Sequence, residues 1–560
     1  MFKYKQTISD GSNEWLKLIK MSEDCTSEQL EEIANEFAKQ IKKDLNDRQN
    51  ATDCAYNMPR IKSHIDKKNG IAHMIANKLF PIDTNEEKTL EVRKKHCYIQ
   101  YSKVRAQLRH IFITRLEEID RKEQEEKDKK KQLMFQRKNF CTLKNRPLST
   151  KITQPEAMPV DIADIKELEP FFEYMKKNIP PDSKNFMEFT RGVFYNDGRI
   201  DMCKQVVGHL WINNLMDSIR YNEEVKHFLL GNNIIGLDGA KAISNFLTGP
   251  HVPKIKTWYI AGNMIDTEGI KLIAEAFKNE NDATSLWLKR NPLQPEGIKY
   301  LGEMLEVNET LRILDLHNTA VLDEGVGYLF KSLEKNTTLR QLYLDANGIT
   351  KNSVGSIINY FDYLIRNNLK GITSLWIDMN RLDDEGTVAL VDTLQHYHHL
   401  KRLVIGSNRI TGNGAKEILG RLKHHPKLMV LDIGLYKSTF DMDELPNDIG
   451  DAGVQPIVDF ITNNKGVKVF SILHNNISLD GLKRIAEAVQ YNHTLLKFYF
   501  HQFGVDIDKE TENIILNKIN ENIKNNLGIS PNEFALSHLR NLKHSKEIRY
   551  IDSIYRNRMK

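Results

Sequence analysis

The stretch LRQLYLDANGIT, residues 339–350, sets apolar side chains at Leu339, Leu342, Leu344 and Ile349 around a single asparagine, Asn347. The alternation at Leu342 and Leu344 reads as a short strand, and the Asn-Gly after it as a turn. The template apolar-xx-apolar-x-apolar-xx-Asn-x-apolar recurs at Val225/Phe228/Leu230/Asn233/Ile235 and at Ile255/Trp258/Ile260/Asn263/Ile265. Four more copies place the asparagine at Asn291, Asn380, Asn408 and Asn475, while three carry Thr319, Tyr436 and Phe503 there instead. Successive positions are separated by 30, 28, 28, 28, 33, 28, 28, 39 and 28 residues, so one 28-residue unit with three insertions accounts for ten copies. A step of 28 back from Asn233 reaches Gln205, with Ile200, Met202 and Val207 at the apolar positions, which reads as a degenerate first unit.

Six places after the asparagine stands a small residue, at Gly239, Gly269, Gly297, Gly325, Ser353, Gly386, Gly414 and Gly481, followed by helical apolar spacing such as Ile298, Leu301 and Leu305. The unit is therefore strand, turn, helix, and consecutive strands run parallel. The asparagine amide is suited to bonding main-chain groups that the turn would otherwise bury unpaired. A helix is about 10 Å wide and a strand spacing about 4.8 Å, so stacked units curve with the strands inside. The segments LYLDANGI, LVIGSNRI and LWLKRNPL resemble the ribonuclease-inhibitor-like subclass of leucine-rich repeats over about residues 197–504. The resemblance implies an α/β solenoid: a horseshoe with parallel strands on the concave face and helices on the convex face. It implies protein binding in general, for a group spanning inhibitors, sensor regions, GTPase regulators and bacterial effectors. Ribonuclease binding is not inherited, because the inhibitor is cysteine-rich and only Cys203 lies in these repeats.

Strand residues between the two central apolar positions face the concave side. That column reads Leu229, Tyr259, Trp287, Asp315, Tyr343, Trp376, Val404, Asp432, Ser471 and Tyr499, and the next columns add Lys289, Arg290, His317, Asp345, Asp378, His474 and His501. An outward aromatic row flanked by charge has the composition of a protein interface. The expected partner-binding residues are Tyr259, Trp287, Lys289, Arg290, Asp315, His317, Tyr343, Asp345, Trp376 and Asp378; the bland alternative is rings that only shield the strand backbone and each other. The insertion after Tyr436 lengthens its unit by 39 minus 28, or 11, residues and carries Asp441, Asp443, Glu444, Asp448 and Asp451. It reads as a solvated acidic loop that reaches a partner from the rim. His396 and His424 are 28 residues apart and are expected to stack, which makes zinc binding or a pH response conceivable, with exposed histidines near a helix end the plainer reading.

The chain has 560 residues, with 80 Lys+Arg against 75 Asp+Glu for a net charge of +5, too balanced to make nucleic acid the expected partner. No apolar run is long enough to span a membrane, the first ten residues do not read as a secretory signal, and Cys25, Cys54, Cys97, Cys141 and Cys203 form no CxxC pair. These features predict a cytoplasmic monomer with reduced thiols, no cofactor and no metal. The expected organisation is an N-terminal α-helical domain at 1–145, a linker at 146–160 with Pro147, Pro155 and Pro159, an N-terminal cap and degenerate repeat at 161–224, repeats at 225–504, and a C-terminal helical cap and basic tail at 505–560. A capping box at Thr26 and a charged helix over 103–140 are expected in the first domain, and a helix over 508–525 after the repeats.

No nucleotide loop, nucleophile elbow, HExxH helix or kinase signature is present, so a non-enzymatic interaction scaffold is expected. Two alternatives stand beside it. One is a bacterial effector acting on a host protein, reached by a non-Sec route and suggested by the Lys/Asn/Ile-rich composition. The other is an enzymatic N-terminal domain built on Cys25, Cys54 or Cys97 with His64, His73 or His96.

Overall fold

Each repeat places three residues in a strand, and among the described residues the strands add one after another into a 13-stranded sheet in chain order. The computed structural model describes residues 152–154, 161–181 and 186–539. The helices expected before residue 146, four of the five cysteines, His64, His73, His96 and the basic tail lie outside the described residues. The chain divides into two units, Met1–Lys138 and Asn139–Lys560, and all described residues belong to the second.

β1 (Phe186–Glu188), β2 (Val193–Tyr195) and β3 (Arg199–Asp201) form an antiparallel meander. From β3 on every pairing is parallel: β4 (His227–Leu229), β5 (Thr257–Tyr259), β6 (Ser285–Trp287), β7 (Ile313–Asp315), β8 (Gln341–Tyr343), β9 (Ser374–Trp376), β10 (Arg402–Val404), β11 (Val430–Asp432), β12 (Val469–Ser471) and β13 (Lys497–Tyr499). The sheet is open, and a helix follows most strands. These include α1 (Ile165–Met175) before the sheet, α2 (Gly208–Ile219), α3 (Gly236–Thr248), α4 (Thr267–Phe277), α5 (Gln294–Leu305), α6 (Leu322–Leu333) and α7 (Val354–Arg366). They continue with α8 (Asp383–Leu394), α9 (Gly412–Leu422), α10 (Val454–Asn463), α11 (Leu479–Gln490), α12 (Lys509–Leu527) and α13 (Pro531–Leu539). The architecture is an α/β solenoid.

The apolar template positions form one continuous core between sheet and helices, including Phe228, Trp258, Leu286, Leu314, Leu342, Leu375, Leu403 and Phe470. Burying each such side chain contributes about 1.5–3 kcal/mol. The small residue in the first helical turn has a steric reason: a Cβ on Gly239 would lie 2.3 Å from Ile235 Cβ.

Asparagine does what the template requires of it. Asn263 Oδ1 accepts from Asn233 N at 2.8 Å and Asn263 Nδ2 donates to Leu230 O at 2.8 Å, so this amide completes the turn of the preceding unit. Asn291, Asn347 and Asn380 repeat the pattern. The residue before the asparagine adopts a left-handed backbone, as at Asn232, Ala346, Met379 and Ser407, which costs about 1–2 kcal/mol each that the bonds offset. Two assignments need correction. Tyr436 is not the asparagine equivalent: the inserted residues lie between it and Asn447, and Asn447 accepts from Asn408 N at 2.7 Å and Ile410 N at 2.9 Å. In the last unit Gln502, not Phe503, accepts from Asn475 N, because its longer side chain reaches from one position earlier.

A second amide row, unforeseen in the sequence, closes the helix ends. Asn336 Nδ2 donates to Leu305 O and Asn308 O, Asn492 Nδ2 to Ile461 O, and Asn522 Nδ2 to Asn492 O and Leu495 O. Asn522 sits on α12, which is capped by Asp508 at Thr511 N and covers the last unit on the helix side.

Candidate functional site on the strand face

Parallel pairing in strict register sets one side chain from each unit beside the next. Leu229, Tyr259, Trp287, Asp315, Tyr343, Trp376, Val404, Asp432, Ser471 and Tyr499 are consecutive partners across β4 to β13. Tyr343 and Trp376, on adjacent strands, stack with centroids 4.0 Å apart at 17°. Trp287 and Tyr343 lie two strands apart, about 9.6 Å by strand spacing, yet their centroids are 5.4 Å apart. They lean over Asp315, the short residue between them. Tyr259 joins Trp287 at 6.2 Å.

The row was expected to be exposed, and its middle is not. Trp376 is 2% exposed, and Trp287, Tyr343, Val404, Asp315, His317, Asp345 and Asp378 are buried with it. Of the expected binding residues only Arg290 is exposed, while Tyr259 and Lys289 are half-buried.

Burial governs the charges beside the rings. Loss of water raises the carboxyl of Asp345 to about 7, against the N–H that Asp378 donates to it and the nearby Lys289 ammonium, which favour its charge. Asp378 is pushed well above the usual carboxylate range by burial and by the charges of Asp345 and Asp432, and burial raises Asp315 as well. The same loss of water lowers His317 to about 3. His317 Nδ1 and Asp345 Oδ2 stand 3.4 Å apart, but with both charges disfavoured the contact is a polar one rather than a full ion pair.

The insertion is not a solvated loop along its length. Glu444 is 3% exposed and takes Arg381 in a bidentate pair, with Nη2 to Oε1 at 2.6 Å, while Arg409 lies 3.8 Å away. Met442 packs with Ala346 and Met379, and the Tyr436 ring stands 6.1 Å from His317. The segment thus folds back along the sheet rim over units whose strands are β7 to β10. Asp441 and Asp443 face solvent. A second segment reaches the same rim from far away in sequence. Asn318 Nδ2 donates to Thr153 O at 2.9 Å, Gln154 Nε2 donates to Asn318 O at 3.2 Å, and Ile152 lies where a Cβ on Gly348 would be 2.5 Å from its Cγ2.

The expected stacking of His396 on His424 is not the histidine contact observed. His398 and His425 approach instead, at 6.4 Å, because His425 belongs to the second amide row: its Nε2 faces Tyr397 O and its Nδ1 accepts from Leu428 N. Among the described residues no cluster of His, Cys, Asp or Glu is arranged to hold a metal ion. Burial holds the half-buried Cys203 thiol far above its ordinary pKa, against nucleophilic use.

At the far end the face opens. Tyr499 and Phe503 are each 38% exposed, His501 is exposed, and His474 stacks on Phe503. β13 has no further strand beside it among the described residues. No helix among them is long and apolar enough to cross a membrane.

Residues 396–419, the unit of β10 and α9, match the family model described as Leucine Rich repeat. No curated protein matches the chain. Among solved structures the chain is similar to leiomodin-1 actin-binding site 2, at 15% identity over 48% of this chain and 94% of that one, with a TM-score of 0.15. It is also similar to a chain of the Rad7 and Elc1 complex in yeast, at 13% identity over 71% of this chain and 94% of that one, with a TM-score of 0.31.

Proposed function

We propose that this leucine-rich-repeat solenoid is a protein-interaction scaffold and that its strand face is the recognition surface. The register carries the reading: successive units present Tyr259, Trp287, Asp315, Tyr343 and Trp376 in one row, with Lys289, Arg290, His317, Asp345 and Asp378 in the adjoining positions. In such an array the buried rings Trp287, Tyr343 and Trp376 hold the row in register, and a partner is read by the side chains that reach solvent at its two ends, with flanking charge supplying selectivity. Its accessible parts are Tyr259, Lys289 and Arg290 on one side and Tyr499, His501 and Phe503 at the end. The 28-residue unit with a helix in nearly every copy supports the ribonuclease-inhibitor-like subclass.

Affinity capture with the whole protein, with proteins identified by mass spectrometry, tests the reading. Arg290→Glu combined with Tyr499→Ala and Phe503→Ala is expected to lose partners at least tenfold with unchanged circular dichroism, while Lys416→Glu on the helix side retains them. The same proteins captured by all variants would refute the strand-face assignment.

A further inference from the structure

On the edge opposite the asparagine turns, where each helix leads back into the next strand, charge is sorted by position. The connections before β6, β7 and β8 carry Glu280, Asp282, Glu306, Glu309 and Glu334. The four that follow, residues 367–373, 395–401, 423–429 and 464–468, carry Lys370, Lys401, Lys423, Lys427, Lys465 and Lys468, five histidines and no acid. The backbone ladder lays these connections side by side: Thr373 N donates to Arg340 O at 2.9 Å, Lys401 N to Thr373 O at 2.7 Å, Met429 N to Lys401 O at 2.8 Å and Lys468 N to Met429 O at 2.8 Å. Lys401 thus stands two strands from Arg340 and two from Lys468, about 9.6 Å each way. Lys370, Lys427 and Lys465 are exposed beside this column.

The crowding is felt at His399. Burial lowers its pKa, and Lys427, Lys370, His398 and Arg340 all push the same way as positive charge. On the helices behind the edge charge is paired, as where Arg421 bridges Asp392 and Glu417. Among the described residues the six lysines have no such bridge. Like charges lined up this way repel one another, and the surface is most stable when an anion lies across it.

The side chains narrow the choice of anion. Single-stranded nucleic acid is held by aromatic rings interleaved with cations. Tyr397 supplies the one Tyr, Phe or Trp ring in these four connections, and it is buried, its hydroxyl accepting from Gly371 N at 2.9 Å. A membrane-binding surface adds apolar side chains that enter the lipid, whereas Ile372, Leu400, Leu428 and Val467 are turned into the core. An acidic peptide needs only charge and spacing. Units stand about 4.8 Å apart at the strands and about 10 Å at the helices, and the connections lie between. Alternate residues of an extended chain, about 6.6 Å apart, fall within that interval.

We propose that this connecting edge, from Arg340 to Lys468, docks an extended, glutamate- or aspartate-rich segment of a partner protein. It is a second surface, and it rests on the scaffold reading only in taking the partner to be a protein.

The whole protein is titrated against a fluorescein-labelled peptide of twelve glutamates, with anisotropy as the readout. Binding is expected, and it weakens as salt is added. Lys370→Glu, Lys427→Glu and Lys465→Glu together are expected to weaken it at least tenfold, with unchanged circular dichroism, and to gain binding of a twelve-lysine peptide. Lys241→Glu, Lys271→Glu and Lys416→Glu, the same change of net charge placed on α3, α4 and α9, leave it within twofold. Should the edge variant fail to fold, Lys427→Glu alone decides, with an expected loss of about threefold. Equal losses from the two triple variants overturn the proposal, as does absence of binding by the wild type. Tighter binding of a twelve-uridine RNA or of phosphatidylserine vesicles, lost in the same edge variant, assigns the edge to nucleic acid or to a membrane and overturns it too. Arg290→Glu with Tyr499→Ala and Phe503→Ala is expected to keep the glutamate peptide; its loss there instead of in the edge variant would move the site to the strand face. Partners captured by that strand-face variant judge the strand face alone, so either surface can fail without the other.

Discussion

Asp345 is the residue where burial and charge meet most directly. It faces His317 at 3.4 Å, with Lys289 and Asp378 as further neighbours, and loss of water holds its carboxyl at about 7. An ordinary aspartate titrates near 4, so the folded state binds this proton more readily than the unfolded chain. The stability that follows is fully present below about pH 4 and is lost as pH rises through about 7. Thermal melts are expected to fall between pH 5 and pH 8, and Asp345→Asn is expected to flatten that fall by about 2 °C or more. A variant that loses stability with pH as steeply as the wild type would remove Asp345 as the cause. The ladder asparagines were legible in the sequence because their task repeats every 28 residues within one local turn. The burial of Trp287 and Tyr343 was not, because it depends on rings two strands, and 56 residues, apart closing over a short aspartate. His425 shows a third case: it stands in an amide row as an imidazole, a role no periodic asparagine search would assign.

At the scale of elements, the insertion after β11 decides how the middle of the sheet is covered. Its acidic composition suggested solvent, but Met442 and Glu444 fall on the side that meets Met379 and Arg381. What hid Asn447 from the sequence reading was the assumption that Tyr436 kept register; once the 11 extra residues are set before the asparagine, the 28-residue period resumes. Deletion of residues 436–446 is therefore expected to leave the array folded, with Arg381 opened to water. Glu444→Ala keeps the loop but takes the bidentate carboxylate from a buried guanidinium, a change that costs about 3–5 kcal/mol. The point variant should melt below the deletion variant, with circular dichroism and thermal denaturation as the measurements. The reverse order would mean that the loop stabilises through its apolar contacts and not through the pair.

At the scale of the whole array, each unit touches chiefly its neighbours, so stability is a sum of unit and interface contributions rather than a property of one centre. The middle units are flanked on both sides, whereas β1 and β13 have a strand on one side only among the described residues. Hydrogen exchange is expected to be slowest in β7 to β10 and fastest in β1, β2 and β13, with at least a hundredfold spread in protection. Equal protection from end to end would show that the array opens all at once. The strand order, the parallel sheet and the solenoid class were readable from the period alone. Which side of the face stays open was not, since it depends on segments that return from residues 152 and 442 to a rim they left far behind in sequence.

The one-way ladder has a consequence for synthesis. Because Asn263 completes the turn of the unit before it, and Asn291, Asn347, Asn380 and Asn447 do the same, most units are not finished by their own residues alone. On a ribosome moving at about 5–20 residues per second, each turn waits about 1 to 6 s for the next 28 residues. The wait is longest behind Asn408, whose partner Asn447 lies 39 residues on. The nascent chain therefore carries one unfinished turn at its growing end throughout translation, and that turn, rather than the completed array behind it, is where a chaperone would find exposed backbone.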